Sequence, residues 1–136
     1  MKKIVISAIL IVGIGLILQS QTGASTSKVK GKEVYNKYCL ACHQSDGGGV
    51  PRMNPPLIGT EYVNGNKQRV IGIVLTGLNA PLEINGETYE NPMASHAFLK
   101  DQQIADVLTY VRSSFGNKST AVTAAEVKAV RAKMKK

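Results

Sequence analysis

Three side chains within one short stretch can do chemistry together: the thiols of Cys39 and Cys42 and the imidazole of His43. Residues three apart share a face of a helical turn, so thiols at that spacing can bond the two vinyl groups along one edge of a porphyrin. The adjacent imidazole then offers a neutral nitrogen, a strong axial ligand for the iron. Cys-x-x-Cys-His is the attachment signature of a c-type haem, and both cysteines and one of the two histidines of the chain lie inside it. Other chemistries compete for these residues. A thioredoxin-like dithiol expects a βαβ setting, and no alternation of strands and helices appears. A disulfide between neighbours so close would close too small a loop to add much stability. Cys39, Cys42, His43 and His96 make up the count for a zinc site, but adjacent Cys42 and His43 do not match the usual ligand spacings.

A haem iron has a second axial position. Met93 is the leading candidate: it sits in the loop Asn91-Pro92-Met93-Ala94, about fifty residues after the haem motif and just before a helical pattern. A thioether there stabilises ferrous iron and raises the potential. His96, three residues on, is the competing ligand and would give bis-histidine ligation. Met53 lies in the loop expected on the proximal side, and Met93 as simple apolar filler is the bland alternative. On the proximal side, Asn54-Pro55-Pro56-Leu57-Ile58-Gly59 must be extended, because residues before proline avoid the α region. Extended backbone exposes carbonyls, and one of them can accept the Nδ1 hydrogen of His43 and fix the tautomer a metal-bound histidine needs.

The elements that must hold these residues are helical. Lys28 to Tyr38 reads as a helix leading into the haem motif, with Val34, Tyr35 and Tyr38 as the stripe that packs the first helix against the last. Asp46-Gly47-Gly48-Gly49-Val50-Pro51 is a loop by composition. A second helix runs from Asn66, a candidate N-cap, to Leu75, with Gly77 as its stop. Asn85-Gly86 between alternating flanks predicts a two-residue type I′ hairpin over 82–89. The closing helix, Asp101 to Ser114, carries Ile104, Val107, Leu108, Val111 and Phe115 at helical spacing. Its capping box is imperfect, because Lys100 occupies the cap position opposite Gln103. Thr123-Ala124-Ala125-Glu126 is a second capping box, opening a terminal helix with Val127, Val130 and Met134 on one side.

Length and charge bound the rest. At 136 residues, one domain is expected. Lys2-Lys3 followed by an apolar run from Ile4 to Leu18 has the form of a secretory signal. Fifteen helical residues reach about 22 Å, short of the ~30 Å hydrocarbon core. Thr22-Gly23-Ala24 offers small residues for cleavage, so residues 1–24 read as a signal peptide, with an uncleaved anchor as the alternative. Covalent haem attachment takes place outside the bacterial cytoplasm, so the two signals agree and an exported, periplasmic protein is expected. The net charge is +8, of which residues 28–117 contribute +1 and residues 118–136 contribute +5. The basic tail is read as the solvated face of a helix, with an acidic partner or membrane surface as the alternative. Nucleic acid is not an expected partner.

These residues together resemble the class I cytochrome c family over roughly Lys30 to Asn117. The resemblance rests on Gly31 to Tyr38 leading into Cys39-Leu40-Ala41-Cys42-His43, then Asn54-Pro55-Pro56-Leu57-Ile58-Gly59, then Met93. The stretch from Ile104 to Asn117 looks like that of small cytochromes serving periplasmic quinoprotein dehydrogenases, and similar domains occur fused to copper nitrite reductases. The resemblance implies one covalent haem c held by Cys39 and Cys42, His43 as proximal ligand, Met93 as distal ligand, and the Pro55 carbonyl as acceptor for His43. One departure stands out: relatives commonly carry Met-Pro at the ligand position, whereas here Met93 precedes Ala94-Ser95-His96. Losing the proline makes the loop less rigid and brings His96 close to the ligand position.

The expected fold is a small all-α cytochrome c domain over residues 28–117. It has three main helices around one haem, a short β-hairpin, and an extra C-terminal helix in 118–136. The expected function is one-electron transfer between a dehydrogenase or other donor and a terminal oxidase or reductase. No acid–base pocket appears, so no enzymatic activity of its own is expected. The alternative is a haem sensor or peroxidase-like module with an open distal site.

Overall fold

The structure, a computed structural model, describes residue 23 and residues 25–134. The segment read as a signal or anchor therefore lies outside the described residues except for Gly23. Among the described residues no helix is long and apolar enough to cross a membrane.

Helix α1, described over 25–38, runs into the one-turn helix α2 (Leu40–His43). After a long loop come the short α3 (Glu61–Asn64) and α4 (Lys67–Thr76). The hairpin β1 (Leu82–Ile84) and β2 (Glu87–Tyr89) follows, then α5 (Asp101–Arg112) and α6 (Ala124–Met134). The strands pair antiparallel with Leu82 opposite Tyr89 and Ile84 opposite Glu87. Asn85 and Gly86 both have positive φ, 55° and 80°, as a type I′ turn requires.

Local chemistry sets most helix ends. The Asn66 side chain accepts the Arg69 N–H at 3.0 Å, and α4 stops at Gly77 with φ 74°. Thr123 and Glu126 cap each other: Thr123 Oγ1 accepts from the Glu126 N–H, and Glu126 Oε2 accepts from the Thr123 N–H at 2.8 Å. At α5 only half a box forms, Gln103 Oε1 accepting the Lys100 N–H at 3.0 Å, because a lysine has no acceptor to return. Helix α5 also ends two residues before the predicted Ser114. Ser113 turns its N–H to the Tyr110 carbonyl and its hydroxyl to that of Thr109, and Phe115 and Gly116 then take positive φ.

The core lies where α1 and α6 pack on α5. Every residue from Ile104 to Arg112 is buried, although the apolar stripe alone accounts for one face. Gly31 of α1 meets the other side, where any Cβ would run into the Asp106 carbonyl and the Tyr110 Cβ. Tyr35 is 1% exposed and packs on Tyr110 with ring centres 5.4 Å apart, while Val34 and Tyr38 of the expected stripe are half-buried.

Helix α6 lies across α4 and α5, with Val127 and Val130 buried beneath it. Met134, expected on the same side, is still 44% exposed. Lys67 and Glu126 pair at 3.0 Å, and Arg131 reaches Asp101 Oδ1 at 2.7 Å and the carbonyls of Ala97 and Leu99 at 2.8 Å each. Arg131 is thus committed within the molecule, and Lys118, Lys128 and Lys133 stand exposed.

Candidate functional site

Cys39 and His43 bracket α2, and α1 and α5 fix where that turn sits. The Tyr35 carbonyl accepts the Cys39 N–H at 2.8 Å, and the Cys39 carbonyl accepts the His43 N–H at 2.9 Å. The helical register therefore runs through the motif, and both thiols are free, Cys39 half-buried and Cys42 exposed. Burial, and then the neighbouring Cys42 thiolate, pushes the Cys39 thiol up to about 11. A thiol kept protonated resists adventitious oxidation, since the thiolate is the reactive form.

The extended prolines lie against the His43 ring. His43 Nδ1 donates to the Pro55 carbonyl at 3.0 Å, which leaves Nε2 as the nitrogen with a free lone pair. Burial lowers the His43 pKa; the Pro55 bond pulls the other way, and the charge of His96 lowers it further. At neutral pH the ring is therefore the neutral imidazole that a metal requires.

Gly49 makes that approach feasible. At φ 69°, a Cβ there would stand 2.7 Å from the Pro55 carbonyl oxygen and closer still to that of Asn54. The loop is stitched by Gly49 N–H to the His43 carbonyl at 3.1 Å and by Leu57 N–H to the Gly47 carbonyl at 2.7 Å. Beyond it, the buried Asn117 side chain accepts from the Gly59 N–H and Asn64 Nδ2 and donates to the carbonyls of Leu57 and Val111. One amide thus uses all of its hydrogen-bonding capacity to tie the proline loop to α5. Sequence reasoning assigned no such roles to Gly49 or Asn117; a Gly-rich loop and an Asn after a helix look like ordinary punctuation.

The second ligand loop is carried by the end of α4. Met93 pairs with Leu78 as an isolated antiparallel bridge, N–H to carbonyl at 2.8 and 2.9 Å. Gly77 permits this, because a Cβ there would strike the backbone of residues 93–95. The last carbonyls of α4, which lack helical partners, are taken by the same loop: His96 N–H donates to Val74 at 2.9 Å and Ser95 Oγ to Leu75 at 2.6 Å. These bonds supply the rigidity that a proline at position 94 would otherwise give. Met93 is half-buried, whereas Met53 is 49% exposed.

His96 stands near Tyr38 and Phe98, with ring centres 6.5 and 5.8 Å away. Its Nδ1 is buried without a partner. Such an orphan is costly in a finished core and fits a site completed by another group. Among the described residues no cluster of His, Cys, Asp and Glu is arranged to hold a bare metal ion. Two free thiols on one turn, a neutral oriented imidazole, a held thioether and a buried orphan nitrogen together fit a haem.

Comparison with known proteins agrees. The cytochrome c family model matches residues 29–115. The chain is similar to cytochrome c-552 of Thermus thermophilus, 35% identical over 120 residues that cover 82% of this chain and 80% of that protein. It is also similar to the cytochrome c subunit of a quinone alcohol dehydrogenase from Gluconacetobacter polyoxogenes, 39% identical over 110 residues covering 79% of this chain and 23% of that subunit. A third relative, the gluconate 2-dehydrogenase cytochrome c subunit of Pantoea cypripedii, is 37% identical over 118 residues, covering 82% of this chain and 24% of it. The chain thus spans about a quarter of the length of the dehydrogenase subunits but most of the length of the Thermus protein. A match that extends from the first helix past the closing one, around a motif that binds haem covalently, makes this chain a member of the cytochrome c family: a haem c protein that carries electrons.

Proposed function

We propose that this protein carries single electrons from a periplasmic dehydrogenase of the quinoprotein kind to a terminal oxidase or reductase, and has no catalytic activity of its own. Cys39 and Cys42 would hold the haem through thioether bonds, and His43 Nε2 and Met93 Sδ would be the ligands to its iron. When bound, the haem supplies the one-electron couple of its iron. The observation that carries the assignment is the His43–Pro55 bond of 3.0 Å, because it fixes the tautomer and raises the basicity of the nitrogen that faces a metal. Cys39 and Cys42 anchor the group, Pro55 orients the imidazole, and the loop pinned to α4 presents the thioether and keeps water out. A thioether ligand would favour the reduced state and raise the potential, which suits an acceptor of electrons from a dehydrogenase. The relatives named as dehydrogenase cytochrome subunits support the donor class.

His96 is the second reading for the distal position. It is favoured by its partnerless, buried Nδ1.

Anaerobic mixing of the oxidised holoprotein with a quinoprotein alcohol dehydrogenase and its alcohol tests the function. Reduction of the haem by one electron per protein, abolished when the alcohol is withheld, is the expected result. No reduction at micromolar dehydrogenase would contradict the donor assignment. Cell fractionation and N-terminal sequencing of the mature protein test export and the fate of residues 1–24.

A further inference from the structure

We propose that Tyr35 is a positioning residue for the proximal ligand and acts through its hydroxyl. Tyr35 holds the haem motif from both ends. Its carbonyl accepts the N–H of Cys39 at 2.8 Å, and its hydroxyl donates to the carbonyl of Gln44, the residue after His43, at 2.6 Å. Gln44 leaves α2 with φ 63° and ψ 168°, a conformation that a non-glycine residue keeps only when its surroundings hold it. The hydroxyl bond supplies that hold; the only other backbone partner of this carbonyl among the described residues is the Gly47 N–H at a longer 3.3 Å.

The ring itself cannot drift. Tyr35, Tyr110 and Phe115 form a closed trio with ring centres 5.4 to 5.6 Å apart. Phe115 in turn lies so close over Gly47 that a Cβ there would meet the ring at 2.7 Å. The trio therefore clamps the start of the loop whose Gly49 N–H holds the His43 carbonyl and whose far end presents Pro55 to the imidazole. Removing the hydroxyl loosens the loop at the residue next to His43 and weakens the Nδ1–Pro55 bond. The imidazole then becomes a poorer electron donor, and the reduced state gains.

This inference rests on His43 being the proximal ligand. The test is redox titration and thermal melting of holoprotein carrying Tyr35→Phe, Val130→Ala or His43→Ala. Tyr35→Phe keeps the ring and the trio, so it is expected to fold and load haem. Its potential is expected to rise by about threefold in the reduced-to-oxidised ratio, ~28 mV for one electron, and the His43 Nδ1 proton of the reduced protein to exchange faster with solvent. Val130→Ala empties core under α6, away from the loop, and should lower the melting temperature while leaving the potential alone. If Tyr35→Phe lowers melting as Val130→Ala does and leaves potential and exchange unchanged, the hydroxyl is only structural and the inference is overturned. If His43→Ala keeps the wild-type spectrum, the ligand assignment fails and the positioning role fails with it.

Discussion

At the scale of single residues, a side chain that is absent matters as much as those present. Gly31 sits in the middle of α1, where alanine would favour the helix by about 1 kcal/mol. Yet its missing side chain is what lets α1 reach the Asp106 carbonyl and Tyr110. Overpacking of this kind costs about 1–3 kcal/mol, and here the atoms met are largely backbone of the most buried helix, which cannot give way. Gly31→Ala is therefore expected to destabilise by about 2 kcal/mol in a denaturant titration of the holoprotein. A neutral or stabilising result would mean that α1 and α5 can part without loss. Cys39, Cys42 and His43 were legible from type and spacing alone, because few chemistries use that run. Gly49, Asn117 and the Tyr35 hydroxyl were not, since each acts on a partner distant in the fold, and nothing local distinguishes them from a loop glycine, a helix stop or a core aromatic.

At the scale of elements, caps and turns proved the most readable: Asn66, Gly77, Asn85-Gly86 and the Thr123–Glu126 box all do locally what their chemistry requires. The end of α5 was less readable because tertiary contacts settle it. Phe115 leaves the helix to join the aromatic trio, and Arg112 spans to the carbonyls of Val63, Gly65 and Thr120. The terminal helix gives a prediction with a defined sign. The Thr123 N–H first, and the Lys67 ammonium among further contributors, hold the Glu126 carboxyl below the usual carboxylate range. A depressed carboxylate contributes stability above its unfolded value, ~4.3, and that contribution fades as the pH falls through the folded value. Glu126→Ala should cost about 1 kcal/mol at pH 7, and the gap from wild type should narrow steadily below pH 4. A gap that does not change with pH would show that the carboxylate charge plays no part.

At the scale of the whole molecule, two helices leave α5 without a solvent face. One apolar stripe accounts for a single face, but the rest of the helix, with Ala105, Asp106, Thr109 and Arg112, is covered by α1 and by the chain beyond residue 117. Thr109 both donates to and accepts from the backbone of Val122, so polar residues there are paired rather than solvated. Pairing of that kind leaves no trace in hydrophobic periodicity, which explains why the burial of this face of α5 was not legible. The haem motif, by contrast, was legible at long range because covalent chemistry demands it, and the helices around it follow from what it must bury.

The most direct test of the central claim, a covalent haem ligated by His43 and Met93, is the absorption spectrum of wild-type, Met93→Ala and His96→Ala holoproteins, oxidised and reduced. A low-spin wild-type spectrum with the red band of thioether-to-ferric-iron ligation is expected, lost in Met93→Ala and retained in His96→Ala. A low-spin wild-type spectrum without that band, unchanged in Met93→Ala and altered in His96→Ala, would contradict it in favour of bis-histidine ligation. A high-spin wild-type spectrum that shifts on adding carbon monoxide would contradict it in favour of an open distal site.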